Sequence, residues 1–173
     1  MEKHMKCGII ADNYGANQIG FTIINAANKF AKTNNNGCIL FQLEYVPHCI
    51  KSDVCAMNYS EIYGYNACLI SNSLESTKIM LSASNNGPMI FYIWDIFWLR
   101  RGSEVYDHNM AVLNNPNLLL VCRSESHRQM VENYTNRNPA IMPFDINALT
   151  EYGYKYGNFN RNIPEWISKI PGI

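Results

Sequence analysis

The sequence predicts an α/β fold, a three-layer α/β/α sandwich around a mostly parallel sheet of about six strands. Three observations carry that expectation. Short, almost uninterrupted apolar runs of strand length recur along the chain, as they do where strands are buried on both faces. Segments whose apolar residues fall three and four positions apart separate those runs, the signature of helices with one buried stripe. The 173 residues, 47% hydrophobic and 12% aromatic, are enough for the single core that such a sandwich needs.

The first apolar run, residues 6–11, is a strand, and Asp12 to Gly15 turn the chain. Over 17–32, Ile19, Ile23, Ala26, Ala27 and Phe30 form one stripe of a helix, which Asn34, Asn35, Asn36 and Gly37 stop. Residues 38–45 are the second strand. A strand, helix, strand unit of this size implies a parallel pair with a right-handed crossover. The stretch 46–65 is less regular, with a short strand inside 47–57 and a helical turn at 60–63. The alternation then resumes with strands at 67–71, 88–94, 118–122 and 140–142 and helices at 74–83, 105–113 and 125–134.

Residues 1–146 therefore read as one domain. Residues 147–173 read as a connector rich in Tyr, Gly and Asn, a loop over 152–162, followed by a short helix opening at Pro164. Trp166, Ile167 and Ile170 would dock that helix on the same domain.

Composition excludes several classes of function. Fourteen basic residues balance fourteen acidic ones and only 16% of the chain is charged, so nucleic acid is not an expected partner. No run of 18 apolar residues exists to span a membrane, and the charged first residues lead straight into a strand rather than a signal segment. The expectation is a soluble, cytoplasmic protein. Cys7, Cys38, Cys68 and Cys122 lie in apolar runs and read as buried thiols, while Cys49 and Cys55 lack zinc-binding spacing. No metal is expected. The 23 asparagines punctuate loops and helix boundaries, where their side chains cap and turn the backbone.

Ligands of open parallel sheets bind beyond the carboxyl ends of the strands, and that rule selects the candidate residues. They are Asp12, Asn13, Tyr14, Gly15 and Gln18 after the first strand, then Glu44 and Tyr45, residues 71–73, Trp94, Asp95 and Trp98, next Arg123, Ser124, Glu125 and His127, and last Phe144 and Asp145. The first loop is neither the dinucleotide fingerprint nor a P-loop, since it lacks Gly-x-Gly-x-x-Gly and a Gly-Lys-Ser/Thr. Asn13, Tyr14, Gly15 and Gln18 either contact a ligand at a helix start or form a plain turn with a capping Asn. Asp95 is a carboxylate among large aromatics, able to act as a base, to grip hydroxyls or to cap the next turn. Trp94 and Trp98 either stack on a sugar ring or base or belong to the core. Ser124 suits a helix N-cap and Glu125 the first turn after it. His127 is the candidate for proton transfer, imidazole being the side chain that exchanges protons near neutral pH, unless it is simply a surface residue.

The order of these motifs, Tyr92-Ile93-Trp94-Asp95, then Arg123-Ser124-Glu125-Ser126 and a helix, then Ile141-Met142-Pro143-Phe144-Asp145, resembles the N-terminal, acceptor-side half of the glycosyltransferases built from two facing Rossmann-like domains (the GT-B type fold). The register covers roughly residues 5–146. Two positions depart from the family pattern: Trp94 stands where a His is usual, and Phe144 replaces the Asn-Gly before the final Asp. The resemblance implies a sugar transferase whose acceptor loops are those named above. Asp95, Glu125 and His127 would be the catalytic residues, and Asn13, Tyr14, Gly15, Gln18, Trp94, Trp98, Arg123 and Ser124 would bind substrate. It implies no resident cofactor beyond a nucleotide-sugar donor, held by a partner chain or by a homo-oligomer, and a sugar or glycosylated acceptor. The alternative is a non-catalytic binding or assembly module, for which the aromatic Tyr152, Tyr154, Tyr156, Phe159 and Trp166 would supply an interface.

Overall fold

The computed structural model of the chain describes residues 5–33, 36–83, 87–96 and 106–157. In chain order the elements are β1 (Lys6–Ala11), α1 (Gln18–Lys32), β2 (Gly37–Gln42), β3 (Cys55–Asn58), a 3-10 turn (Tyr59–Ile62), β4 (Cys68–Ser71), α2 (Leu74–Ser82), β5 (Met89–Ile93), α3 (Tyr106–Leu113), β6 (Leu118–Cys122), α4 (Glu125–Thr135), β7 (Ala140–Ile141) and α5 (Ile146–Tyr156). All seven strands are parallel, in the order β3-β2-β1-β4-β5-β6-β7. The chain starts in the middle of the sheet, winds out to β3, returns to β4 and winds out the other way. That is a Rossmann-like α/β topology.

Seven strands stand where about six were expected. The faint one is β3 (Cys55–Asn58), an edge strand whose residues are exposed or half-buried; it overlaps the end of the irregular stretch 47–57 in which a short strand was expected.

Side chains alternate across the sheet. Ile9 on β1, Ile70 on β4 and Tyr92 on β5 face a layer made by α1 and α5, where Ile23, Ala27, Phe30 and Leu149 meet them. Ile10, Leu69, Phe91 and Leu120 face α2, α3 and α4 through Met80, Val112, Leu113 and Val131. Each fully buried Ile or Phe contributes about 1.5 to 3 kcal/mol relative to an exposed one. Cys7, Cys38 and Cys68 stand side by side in register on β1, β2 and β4, all buried, as is Cys122. A hydrogen bond to Cys38, then burial, raises the Cys7 pKa well above its ordinary value, and burial pushes Cys68 up to about 12. Cys7 and Cys68 thus stay neutral, and all four buried cysteines serve as small core residues, as their apolar surroundings in sequence imply.

Two boundaries differ from expectation. β2 ends at Gln42 rather than at 45, because the N–H groups of Leu43 and Glu44 turn back to the Asp12 carbonyl (3.2 and 2.9 Å). More importantly, the expected connector after residue 146 begins as α5. Asp145 caps it, accepting the Ala148 N–H at 3.0 Å, and Ile146, Leu149, Thr150 and Gly153 form its buried stripe. Gly153 is a packing residue there: a Cβ would come within 3.1 Å of Cys68 Sγ and of Ile90 Cδ1. The expected helix at Pro164 lies outside the described residues. Among the described residues no helix is long and apolar enough to cross a membrane.

Candidate functional site

Because every strand is parallel, the connections that leave the carboxyl ends all emerge on one edge of the sheet. Between β1 and β4 the winding reverses, α1 packing on one face and α2 on the other, and this opens a crevice above those two strands. Asp12, the first residue beyond β1, spans it: its carboxylate accepts a hydrogen bond from Ser73 Oγ at 2.8 Å. Ser73 is in turn the N-cap of α2, with Ser76 completing a reciprocal capping box. The crevice is thus laced by local polar bonds that its own loops supply.

The loop from Asn13 to Gln18 divides between surface and interior. Asn13 Oδ1 accepts the Gly15 N–H (3.1 Å) and Asn17 Oδ1 caps α1 through the Gly20 N–H (2.7 Å). Tyr14 is fully buried, and its hydroxyl donates to the carbonyls of Ile9 (2.8 Å) and Phe41 (3.0 Å), locking the loop to β1 and β2. Gly15 is buried beneath Val46, with room for no Cβ. Half-buried Asn13 and exposed Gln18 are therefore the expected loop residues that reach the surface, while Tyr14 and Gly15 belong to the scaffold.

The telling feature is a set of polar atoms left without partners. Seven buried side-chain polar atoms among the described residues have no hydrogen bond, and five of them follow the strand ends on this edge. They are Gln42 Oε1 at the end of β2, His48 Nε2 in the next loop, Asn72 Oδ1 after β4, Trp94 Nε1 after β5 and His127 Nδ1 in the first turn of α4. A buried polar atom left unpaired costs about 1 to 3 kcal/mol, so a row of them calls for a ligand or solvent to complete it. Gln42 is only 3% exposed. It lies in register with Ala11, next to Asp12 on the neighbouring strand. His48 packs edge-on against Tyr14, with ring centroids 6.0 Å apart.

Beyond β5 the edge becomes aromatic. Half-buried Trp94 packs on Tyr92 (5.1 Å) and Phe144 (5.2 Å), and the Tyr92 hydroxyl donates to the Met142 carbonyl at 3.0 Å. Asp95 is exposed at the turn after this cluster. Trp98 lies outside the described residues. One strand further, Arg123 is exposed and Ser124 caps α4, accepting the His127 N–H at 3.4 Å.

Glu125 is exposed, and the Arg128 guanidinium grips both its oxygens, through Nε at 3.2 and 3.1 Å and through Nη2. That pairing holds the Glu125 carboxyl below the ordinary Glu range, a poor setting for a general base. No hydrogen bond joins Asp95, Glu125 and His127 to one another among the described residues. Of the three expected catalytic groups, His127 alone combines a half-buried ring with an unpartnered nitrogen.

Other features set limits. No group of three His, Cys, Asp or Glu side chains among the described residues could hold a metal ion. A groove of about 190 Å³ between α1 and the start of α5 is lined by Thr22, Lys29 and Phe30 among others, and Phe144 and Asp145, the last of the strand-end candidates, border it, while none of the residues expected to be catalytic or to bind substrate does. Sequence reasoning missed Gln42 altogether because the second strand was expected to run past it. The available signal was a polar residue closing an otherwise apolar run. Compared with protein-family models, with curated proteins and with solved structures, the chain finds no match.

Proposed function

We propose that this domain binds a hydroxyl-bearing acceptor along the carboxyl edge of its sheet, as the acceptor-side half of a sugar transferase whose nucleotide-sugar donor is held by a partner chain or by another copy. The observation that carries this reading is the set of unpartnered polar atoms of Gln42, Asn72, Trp94 and His127 beyond the strand ends, with an aromatic cluster around Trp94. Neutral amides, an indole N–H and an imidazole suit sugar hydroxyls, and the Trp94 ring suits the apolar face of a pyranose.

In a transfer step the acceptor oxygen attacks the anomeric carbon, and the bond from that carbon to the diphosphate oxygen breaks. The nucleoside diphosphate leaves with the electron pair. His127 Nδ1 takes the acceptor proton, and exposed Asp95 is the second group available to orient the hydroxyl. Glu125, engaged by Arg128, contributes charge at the start of α4 rather than proton transfer.

Thermal unfolding with a panel of mono- and oligosaccharides at millimolar concentration tests the reading. A binding sugar at a hundredfold excess over its Kd stabilises the protein by about 2.7 kcal/mol. Trp94→Phe, which keeps the ring and removes the N–H, then weakens that sugar with little change in the unliganded melting temperature. Absence of a shift with every sugar, or an unchanged affinity in Trp94→Phe, would sink the proposal.

A second reading draws on a different surface. Tyr45 (82% exposed), Met57, Tyr59 and Tyr63 (51%) cluster around edge strand β3, an apolar surface of the kind found in binding or assembly modules. The residues first expected to form such an interface are placed otherwise: Tyr152 and Tyr154 are half-buried on α5, Tyr156 is exposed, and Phe159 and Trp166 lie outside the described residues.

A further inference from the structure

In parallel α/β sheets the crevice at the winding reversal, where helix N-termini converge, is the place that ordinarily holds a phosphate. Here α1 and α2, 15 and 9 residues long, both begin at that crevice. The position between them already has an anion, the Asp12 carboxylate, held by Ser73 Oγ at 2.8 Å while Ser73 caps α2. The surrounding loops offer no lysine or arginine to offset a second negative charge, His48 being the one imidazole within them. No Lys or Arg occurs over 12–28, 42–50 or 71–77, the three loops and first helical turns that meet there, whereas Glu44 and Glu75 add carboxylates. Glu75 is tied to Lys78 at 2.9 Å. The nearby unpartnered polar atoms are Asn72 Oδ1, next to Ser73, and, on the strand paired with β1, the buried Gln42 Oε1, with His48 Nε2 in the loop that follows it.

We propose that Asp12 determines the specificity of this site. Its carboxylate occupies the anion position between α1 and α2, and so confines the crevice to neutral, hydroxyl-bearing ligands while excluding phosphates and nucleoside diphosphates. The identity of the admitted ligand rests on the function proposed above; the exclusion of phosphate stands apart from it. One consequence is that the donor's diphosphate does not enter this crevice.

The test is a change of charge at constant shape. Asp12→Asn keeps an acceptor for Ser73 Oγ and removes the negative charge, leaving two capped helix N-termini facing the crevice. Inorganic pyrophosphate and uridine diphosphate are titrated at fixed ionic strength into the wild-type protein and the variant, with binding read by calorimetry. Far-UV circular dichroism verifies that the variant is folded. The expected result is saturable binding of both anions to Asp12→Asn, tighter by about tenfold or more than to the wild type.

Equal binding to both proteins overturns the proposal, as does no binding to either. Ser73→Ala, which keeps the carboxylate, is the second variant and should still exclude both anions; binding there as in Asp12→Asn would show that the cap and not the charge is responsible, and would overturn it as well. The sugar panel separates the two readings. Gain of pyrophosphate binding in Asp12→Asn without any sugar bound by the wild type leaves Asp12 as the excluding charge and removes the acceptor function. Sugar binding without that gain does the reverse.

Discussion

The two edges of the sheet treat their polar groups differently. On the amino edge most are satisfied by the chain itself, the buried Asn115 amide nitrogen before β6 being an exception. Arg137 donates to three backbone carbonyls, those of Leu113 (2.6 Å), Asn115 (2.9 Å) and Leu118 (2.6 Å), and so closes the end of α3 onto the entry of β6. Asn36, just before β2, accepts the Met5 N–H at 3.0 Å and reaches Asn147. On the carboxyl edge five buried polar atoms have no partner. The unpartnered groups on the carboxyl edge are those that the proposed acceptor would complete.

Substitutions can sharpen or break that comparison. The largest effect belongs to Gly87, before β5 on the amino edge, where a Cβ would sit 2.0 Å from the Ala67 carbonyl oxygen. Gly87→Ala should cost about 3 kcal/mol, read from urea denaturation, because backbone rather than a flexible side chain must move. Next is Arg137→Met, which preserves length and removes charge-assisted bonds to three carbonyls. Its expected cost is about 2 to 3 kcal/mol; an unchanged denaturation midpoint would mean that this edge is no better satisfied than the other.

Tyr14→Phe tests the residue that sits on the carboxyl edge yet behaves like scaffold. Loss of its bonds to Ile9 and Phe41 should destabilise by about 1 to 2 kcal/mol while leaving ligand affinity intact. Gln42→Met should do the opposite, since it replaces an unpartnered buried amide by an apolar group of similar shape: stability within about 1 kcal/mol of wild type, and loss of ligand binding. A stability loss there as large as for Arg137→Met would erase the distinction between the edges.

The smallest effect is electrostatic. Pairing with Arg128 depresses the Glu125 carboxyl and pairing with Lys32 depresses that of Asp53, both exposed. A depressed folded value contributes stability that is fully present above the ordinary carboxyl range of about pH 4 and is lost as pH falls through the folded values. The melting temperature should thus decline slightly more steeply below pH 4 in the wild type than in a Glu125→Gln, Asp53→Asn double variant. Added salt should shrink that difference.

The sequence patterns marked out most of the scaffold and less of the site. The strands Lys6–Ala11 and Leu118–Cys122 coincide with their apolar runs, and α1, α2 and α4 lie within a residue or so of their periodic segments. Strands buried on both faces and helices with one buried stripe write their burial directly into residue order. β3, an exposed edge, was legible only as a short strand somewhere within 47–57, and α5 was hidden because Gly153 and the tyrosines look like loop residues until a neighbouring sheet requires a small side chain. At the site, the strand-end rule found the right edge, and Ser124 does cap α4. It did not separate Tyr14, turned inward, from Asn13, and it did not reveal that Arg128 engages Glu125.

The sequence by itself determined the fold class, the alternation of elements and the edge on which loops gather, since these follow from local periodicity and from the rules of parallel connection. Tertiary structure alone decided which polar atoms on that edge have partners. Hydrogen bonding there depends on residues far apart in the chain: Asp12 meets Ser73 across 61 positions, and Tyr14 reaches Phe41 across 27. No pattern within either loop specifies those meetings, because they are set by strand order and by the reversal of winding between β1 and β4.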